Sequence, residues 1–196
     1  AVNDAEMAVR ALYLGNELSL ASQLACTFGQ QNDTSDAVYA ALSLSLEANH
    51  SWDLAARVLQ KQRPEQSQLS LMLLAARFGG NGDQSAVERF YERCGLDSPS
   101  MIKSRASSAA NTAEELVFHA AGRDSMRAAM IGCGELRRIL STPGWVVNEA
   151  EQLSRPLQSL EVPGLADNNI KAVVMFYTAY VASASACMQG MVSVAA

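Results

Sequence analysis

Cys133 is the residue whose type and setting come nearest to covalent chemistry. It lies between two glycines in Ile131-Gly-Cys-Gly-Glu135, and His119 precedes it by 14 residues. A thiol beside an imidazole makes a nucleophile and base. The same Gly-Cys-Gly run also suits a close crossing of two helices, and that simpler reading is preferred. Glu114 and Glu115 stand four or five positions before His119 on a helical pattern, which fits a solvated pair with a capping role. Gly79-Gly-Asn-Gly82 is glycine-rich but is not followed by the Lys-Ser/Thr that completes a phosphate loop. His50 falls in a turn. Cysteines 26, 94, 133 and 187 contain no CxxC, and neither histidine is close to a cysteine in sequence, so zinc has no signature. No catalytic residue, metal ligand or cofactor is expected, and the chain reads as a non-enzyme.

The elements that would hold such residues are helices. The 196 residues are 49% hydrophobic and 18% charged with only 5 prolines, a composition that buries a core and favours helix. A net charge of −5 argues against a nucleic-acid partner, which needs a basic face. The short clusters Lys61-Gln-Arg63 and Arg137-Arg138 read as solvated helix ends. Each cysteine lies in an apolar helical context, which implies buried, reduced thiols and a cytoplasmic location. The N-terminus carries no signal-peptide pattern.

The pattern is centred on a helical hairpin, Asp36 to Gln62. Tyr39, Leu42 and Leu46 share one face of its first arm, with the small Ser43 between them. The turn is Ala48-Asn-His-Ser51, with Ser51 as N-cap. Trp52, Ala55 and Leu59 line the second arm, and Trp52 is expected to pack within the hairpin. This order matches a degenerate tetratricopeptide (TPR) unit. Helices on either side extend the pattern: Asn3/Asp4 to Leu14 with Met7, Ala8, Ala11 and Leu12 inward, and Glu17 to Phe28 stopped by Gly29. Asp33 to Asp36 reads as a polar loop and cap cluster. After Pro64 come Glu65 to Phe78 and Asp83 to Cys94, joined by the glycine turn. The alanines at 21, 55 and 86 repeat at 55 − 21 = 34 and 86 − 55 = 31 residues, near the TPR period.

Beyond Gly95 the pattern changes. Ser98-Pro99 opens a short helix, and Thr112-Ala-Glu-Glu115 reads as a capping box. Asp124 to Leu140 places Met126, Met130, Cys133, Leu136 and Leu140 for burial. Trp145 to Leu160 contains Pro156, which should kink or split it. From Ala172 to Ala196, 25 residues carry no charge. Serines, tyrosines and Gln189 weaken a membrane-spanning reading there, and the stretch is expected to be a buried or partner-facing helix. The chain divides into residues 1–105, a stack of TPR-like hairpins, and residues 106–196, a C-terminal helical bundle, in an all-α fold.

Residues Glu6 to Arg105 resemble the small TPR-like chaperones of needle subunits in bacterial type III secretion systems. The carrying segments are Ala11-Leu-Tyr-Leu-Gly-Asn16, Ala21-Ser-Gln-Leu-Ala25, the Leu42-to-Leu46 arm and Trp52-Asp-Leu-Ala-Ala56, then Pro64, Leu71 to Gly79, Ala86 and Phe90. The resemblance covers about half the chain. It implies a chaperone that keeps a self-assembling subunit monomeric by seating its amphipathic C-terminal helix in a concave groove. Candidate groove residues are Tyr13, Tyr39, Leu46, Trp52 and Phe78. The expected partner is a helical protein client or a second copy of the chain. Two other readings share these features: a TPR-like adaptor in another complex, and a self-assembling structural subunit such as a viral capsid, nucleocapsid or filament protein.

Overall fold

The structure, a computed structural model, describes residues 2–28, 33–78, 83–158 and 168–195. Eleven α-helices and one short 3-10 turn make up the described residues, which contain no strand. They form two compact units, Ala1–Leu74 with Arg93–Leu96, and Ala75–Glu92 with Asp97–Ala196. The boundary expected after residue 105 therefore lies inside the second unit.

In the first unit, α1 (Val2–Leu14) packs on α2 (Leu18–Phe28) and α3 (Asp33–Ala48) on α4 (Trp52–Leu59), while α2 also meets α3 and α4. The four polar residues from Asp33 form the first turn of α3 rather than a loop. Ala21, Ala25 and Ala55 are fully buried beside Leu42, Val58 and Leu59, so small side chains bring these helices close. On α1 the inward residue is Val9. Met7, Ala8 and Ala11, expected inside, are exposed. The α3–α4 turn is built as expected: His50 takes φ 57° and the Ser51 amide reaches back to the Leu46 carbonyl. Ser51 holds the N-cap position of α4 without a side-chain capping bond, its hydroxyl donating to the Asn49 carbonyl instead. Pro64 is the first residue of α5 (Pro64–Phe78), where its missing N–H costs nothing. The stop expected at Gly29 and the glycine turn at 79–82 lie outside the described residues.

In the second unit, α6 (Gln84–Arg93) contributes Val87, Phe90 and Tyr91, and the buried Tyr91 hydroxyl donates to the Ala121 carbonyl at 2.6 Å. A short α7 (Pro99–Ser104) and the 3-10 turn Arg105–Ser108 lead into α8 (Thr112–Ala121). The helix cap forms one residue earlier than the sequence suggests. Asn111 Oδ1 accepts from the Glu114 amide at 2.9 Å, and the Glu114 carboxylate accepts from the Ala110 amide at 2.7 Å. Asparagine outranks threonine as an N-cap, which decides the register.

Helix α9 (Ser125–Leu140) packs between α8 and α10 (Val147–Gln158), and α11 (Asn168–Ala195) lies on α10 and α9. Pro156 is buried and the helix continues past it for two residues, so α10 is not split there. The core is Leu116, Ala120, Ala128, Ala129, Leu136, Ile139, Ala150, Leu153, Leu157, Val174 and Val181. Met126 and Met130, expected inside, are exposed. Alanine and glycine take the inner face of α9 because they permit close approach: a Cβ on Gly132 would lie 2.5 Å from Leu116 Cδ1 and 2.7 Å from Leu157 Cδ2.

Candidate interaction surface

The five candidate groove residues fall in different settings. Tyr39 and Leu46 lie seven residues apart on one face of α3 and are buried, so they hold the hairpin together rather than face a partner. Tyr13 is half-buried at the end of α1, where the Ser45 hydroxyl donates to its oxygen at 3.4 Å. Trp52 opens α4 and is half-buried, less enclosed than the sequence suggests. Phe78 belongs to the second unit and stacks on Phe90 with ring centroids 4.2 Å apart.

The residues with chemical potential are placed for structure. Burial pushes the Cys133 thiol up from its ordinary value, the opposite of what a nucleophilic cysteine needs. It packs against the alanine-rich core of the second unit. His119 is largely enclosed between two carboxylates, with Nε2 3.9 Å from Glu115 and Nδ1 3.8 Å from Asp124. Asp124 accepts from the α9 amide of Arg127 and binds the Lys103 ammonium at 2.7 Å, and the lysine contact chiefly holds its carboxyl below the usual range. Asp124 thus ties α7 to the start of α9. Among the described residues no three His, Cys, Asp or Glu side chains gather as metal ligands. The thiols do not form the uniformly buried set expected: Cys94 is buried, Cys26 and Cys133 half-buried, and Cys187 exposed.

The most unusual surface is the outer face of α11. Val174, Thr178 and Val181 point inward, and the Thr178 hydroxyl satisfies itself on the Val174 carbonyl at 3.0 Å. On the other side Val173, Met175, Phe176 and Tyr180 stand in solvent, with Phe176 64% exposed. Phe176 stacks on Tyr180, whose ring centroid is 6.3 Å from that of Trp145. An open groove of about 670 Å³ adjoins this region, lined by Trp145, Val146, Ser185 and Met188 among others. Asn168–Met188 is long and apolar enough to cross a membrane, yet only 17% of its most apolar window is buried. The wholly buried setting expected for this stretch therefore does not hold over Asn168–Met188, where only one side of the helix is covered. The missed residues, Phe176 and Tyr180, carry a signal in their i, i+4 spacing within a charge-free run.

No protein-family model, curated protein or solved structure matches the chain.

Proposed function

We propose that the protein is a non-catalytic protein-binding module, a cytoplasmic chaperone or adaptor that holds the amphipathic helix of another chain. The client class implied by the resemblance is a needle-type subunit of a type III secretion system, seated on a degenerate TPR-like stack. The observation that carries the reading is the apolar surface on the helices of the first unit, where Met7, Leu14, Leu20 and Leu44 are all exposed, Leu14 to 76%. An amphipathic helix offers a matching apolar stripe. The test is fluorescence anisotropy with a labelled 21-residue peptide carrying leucine at heptad a and d positions and lysine opposite, complementary to the net charge of −5. Binding should be saturable, absent for a peptide of the same composition with scrambled spacing, and weakened at least tenfold by Leu14→Glu with Leu44→Glu. Equal affinity for both peptides would refute the reading.

A second reading, the self-assembling subunit, is favoured by one observation. The exposed apolar face of α11 carries no charge anywhere after Lys171.

A further inference from the structure

Residues 173, 176, 180, 183, 187 and 190 of α11 are spaced 3, 4, 3, 4 and 3 apart, the repeat of a coiled-coil seam. They lie on the side opposite Val174, Thr178 and Val181, which face α9 and α10. Val173, Phe176, Tyr180, Ser183 and Cys187 are all exposed. The helical register continues the line to Gly190. The seam is graded: its first half is Val, Phe, Tyr, and its second half is Ser, Cys, Gly.

We propose that this seam pairs antiparallel with the same seam of a second copy of the chain. Pairing a with d positions about a two-fold axis between residues 181 and 182 sets Val173 opposite Gly190, Phe176 opposite Cys187 and Tyr180 opposite Ser183. Each layer then joins one large and one small side chain, and the two-fold axis repeats the set in reverse. A parallel pair would put Phe176 against Phe176 and Gly190 against Gly190, crowding one end and leaving the other empty. The self-complementary gradient is what selects a second copy as occupant.

Two further observations agree. A seam about 26 Å long on a helix roughly 10–12 Å across offers on the order of 500 Å² per copy, or about 1,000 Å² in total, where specific interfaces begin. The seam also has no charge to leave unpaired when water is removed. A bilayer is the poorer occupant, because α10 lies along α11 and carries Glu151 and Arg155. Glu151 accepts a hydrogen bond from Ser185 of α11 and pairs with Arg155 at 3.8 Å. Immersing α11 would draw both charges into hydrocarbon.

This inference rests on the protein-binding reading and specifies its self-assembling form. Analytical ultracentrifugation of the full chain should give a reversible dimer, and Phe176→Glu, a surface change, should give a monomer with an unchanged circular dichroism spectrum. Phe176→Cys should then oxidise with copper phenanthroline to a covalent dimer whose chymotryptic map, cut at Tyr177 and Tyr180 between the two positions, shows the 176–187 disulfide. That crosslink should vanish when Cys187→Ser is added. A monomeric wild type, a Phe176→Glu dimer, or a wild-type dimer crosslinked 187 to 187 would each overturn the proposal. So would a monomer that floats with phosphatidylcholine vesicles. A monomer that still binds the amphipathic peptide overturns the pairing and leaves the protein-binding reading standing. A seam-paired dimer that binds no peptide supports the pairing and removes the client-holding role.

Discussion

Gly132 and Gly134 allow the packing of α9 to be weighed by two identical substitutions. Both are interior to the helix, so glycine-to-alanine at either site gains the same helix propensity, about 1 kcal/mol. Their surroundings differ. A Cβ at Gly134 meets nothing within 4 Å, whereas at Gly132 it would overlap Leu116 Cδ1 at 2.5 Å and Leu157 Cγ at 2.8 Å. Both leucines are fully buried, so their side chains have no solvent space to swing into. Overpacking of this kind costs roughly 1–3 kcal/mol. Gly134→Ala should therefore stabilise the unit by up to about 1 kcal/mol, and Gly132→Ala should be neutral to destabilising by about 2. Because propensity cancels between the variants, their difference of roughly 1–3 kcal/mol measures the crossing alone.

Each unit contains one tryptophan, Trp52 in the first and Trp145 in the second. In a Trp52→Phe background, Trp145 fluorescence reports urea unfolding of the second unit. With m of about 1–3 kcal/mol per molar, the two midpoints should separate by on the order of 1 M, Gly134→Ala the higher. Midpoints that coincide, or the reverse order, would refute the close-crossing reading of Ile131-Gly-Cys-Gly-Glu135.

Two further predictions concern thiols and acid. Cys94 is pushed up to about 11, chiefly by burial, and Cys133 is raised by the same cause. Iodoacetamide at pH 8 should therefore label the exposed Cys187 well before either, and peptide mapping that found Cys94 first would contradict the packing of the first unit. Asp124→Ala should destabilise the second unit by about 0.5–2 kcal/mol through the lost N-cap of α9. The wild-type carboxyl is held below its ordinary value of 3.8, so its contribution is present above that value and fades as pH falls through the lower folded one. Wild type and variant should differ in urea midpoint at pH 7 and converge towards pH 2. A gap unchanged at pH 2 would show that the ionised carboxylate of Asp124 is not its source.

Helices, turns and the α3–α4 hairpin were legible because their signals are local: Gly, Pro and polar caps act within a few residues. The facing of the helices was less so. Hydropathy ranks methionine above alanine, which put Met126 and Met130 of α9 inside, but the structure buries Ala128, Ala129 and Gly132. On α1 the fault was one of phase instead: Met7, Ala8 and Ala11 were placed inside, and Val9 is the buried residue. The error on α9 has a physical origin. Where neighbouring helices approach closely enough for small residues to touch, side-chain volume decides the face, and volume is a tertiary property. Tyr39 and Leu46 went the other way, forming the apolar stripe the sequence promised but turned into the hairpin.

The same reversal bears on what the surface is for. Burying a large apolar side chain stabilises a fold by roughly 1.5–3 kcal/mol, so a chain under stability alone would turn Phe176 and Met130 inward and Ala129 out. Here Phe176 is 64% and Met130 59% exposed while Ala129 is fully buried. One exposed phenylalanine is unremarkable. Phe176, however, shares α11 with exposed Val173, Met175, Tyr180 and Met188 along a stretch without charge. Clustered apolar surface is what the proposed pairing of α11 would bury. Close packing through alanine and glycine secures the fold of the second unit without those larger side chains. They remain free to contribute their burial to a contact made outside it.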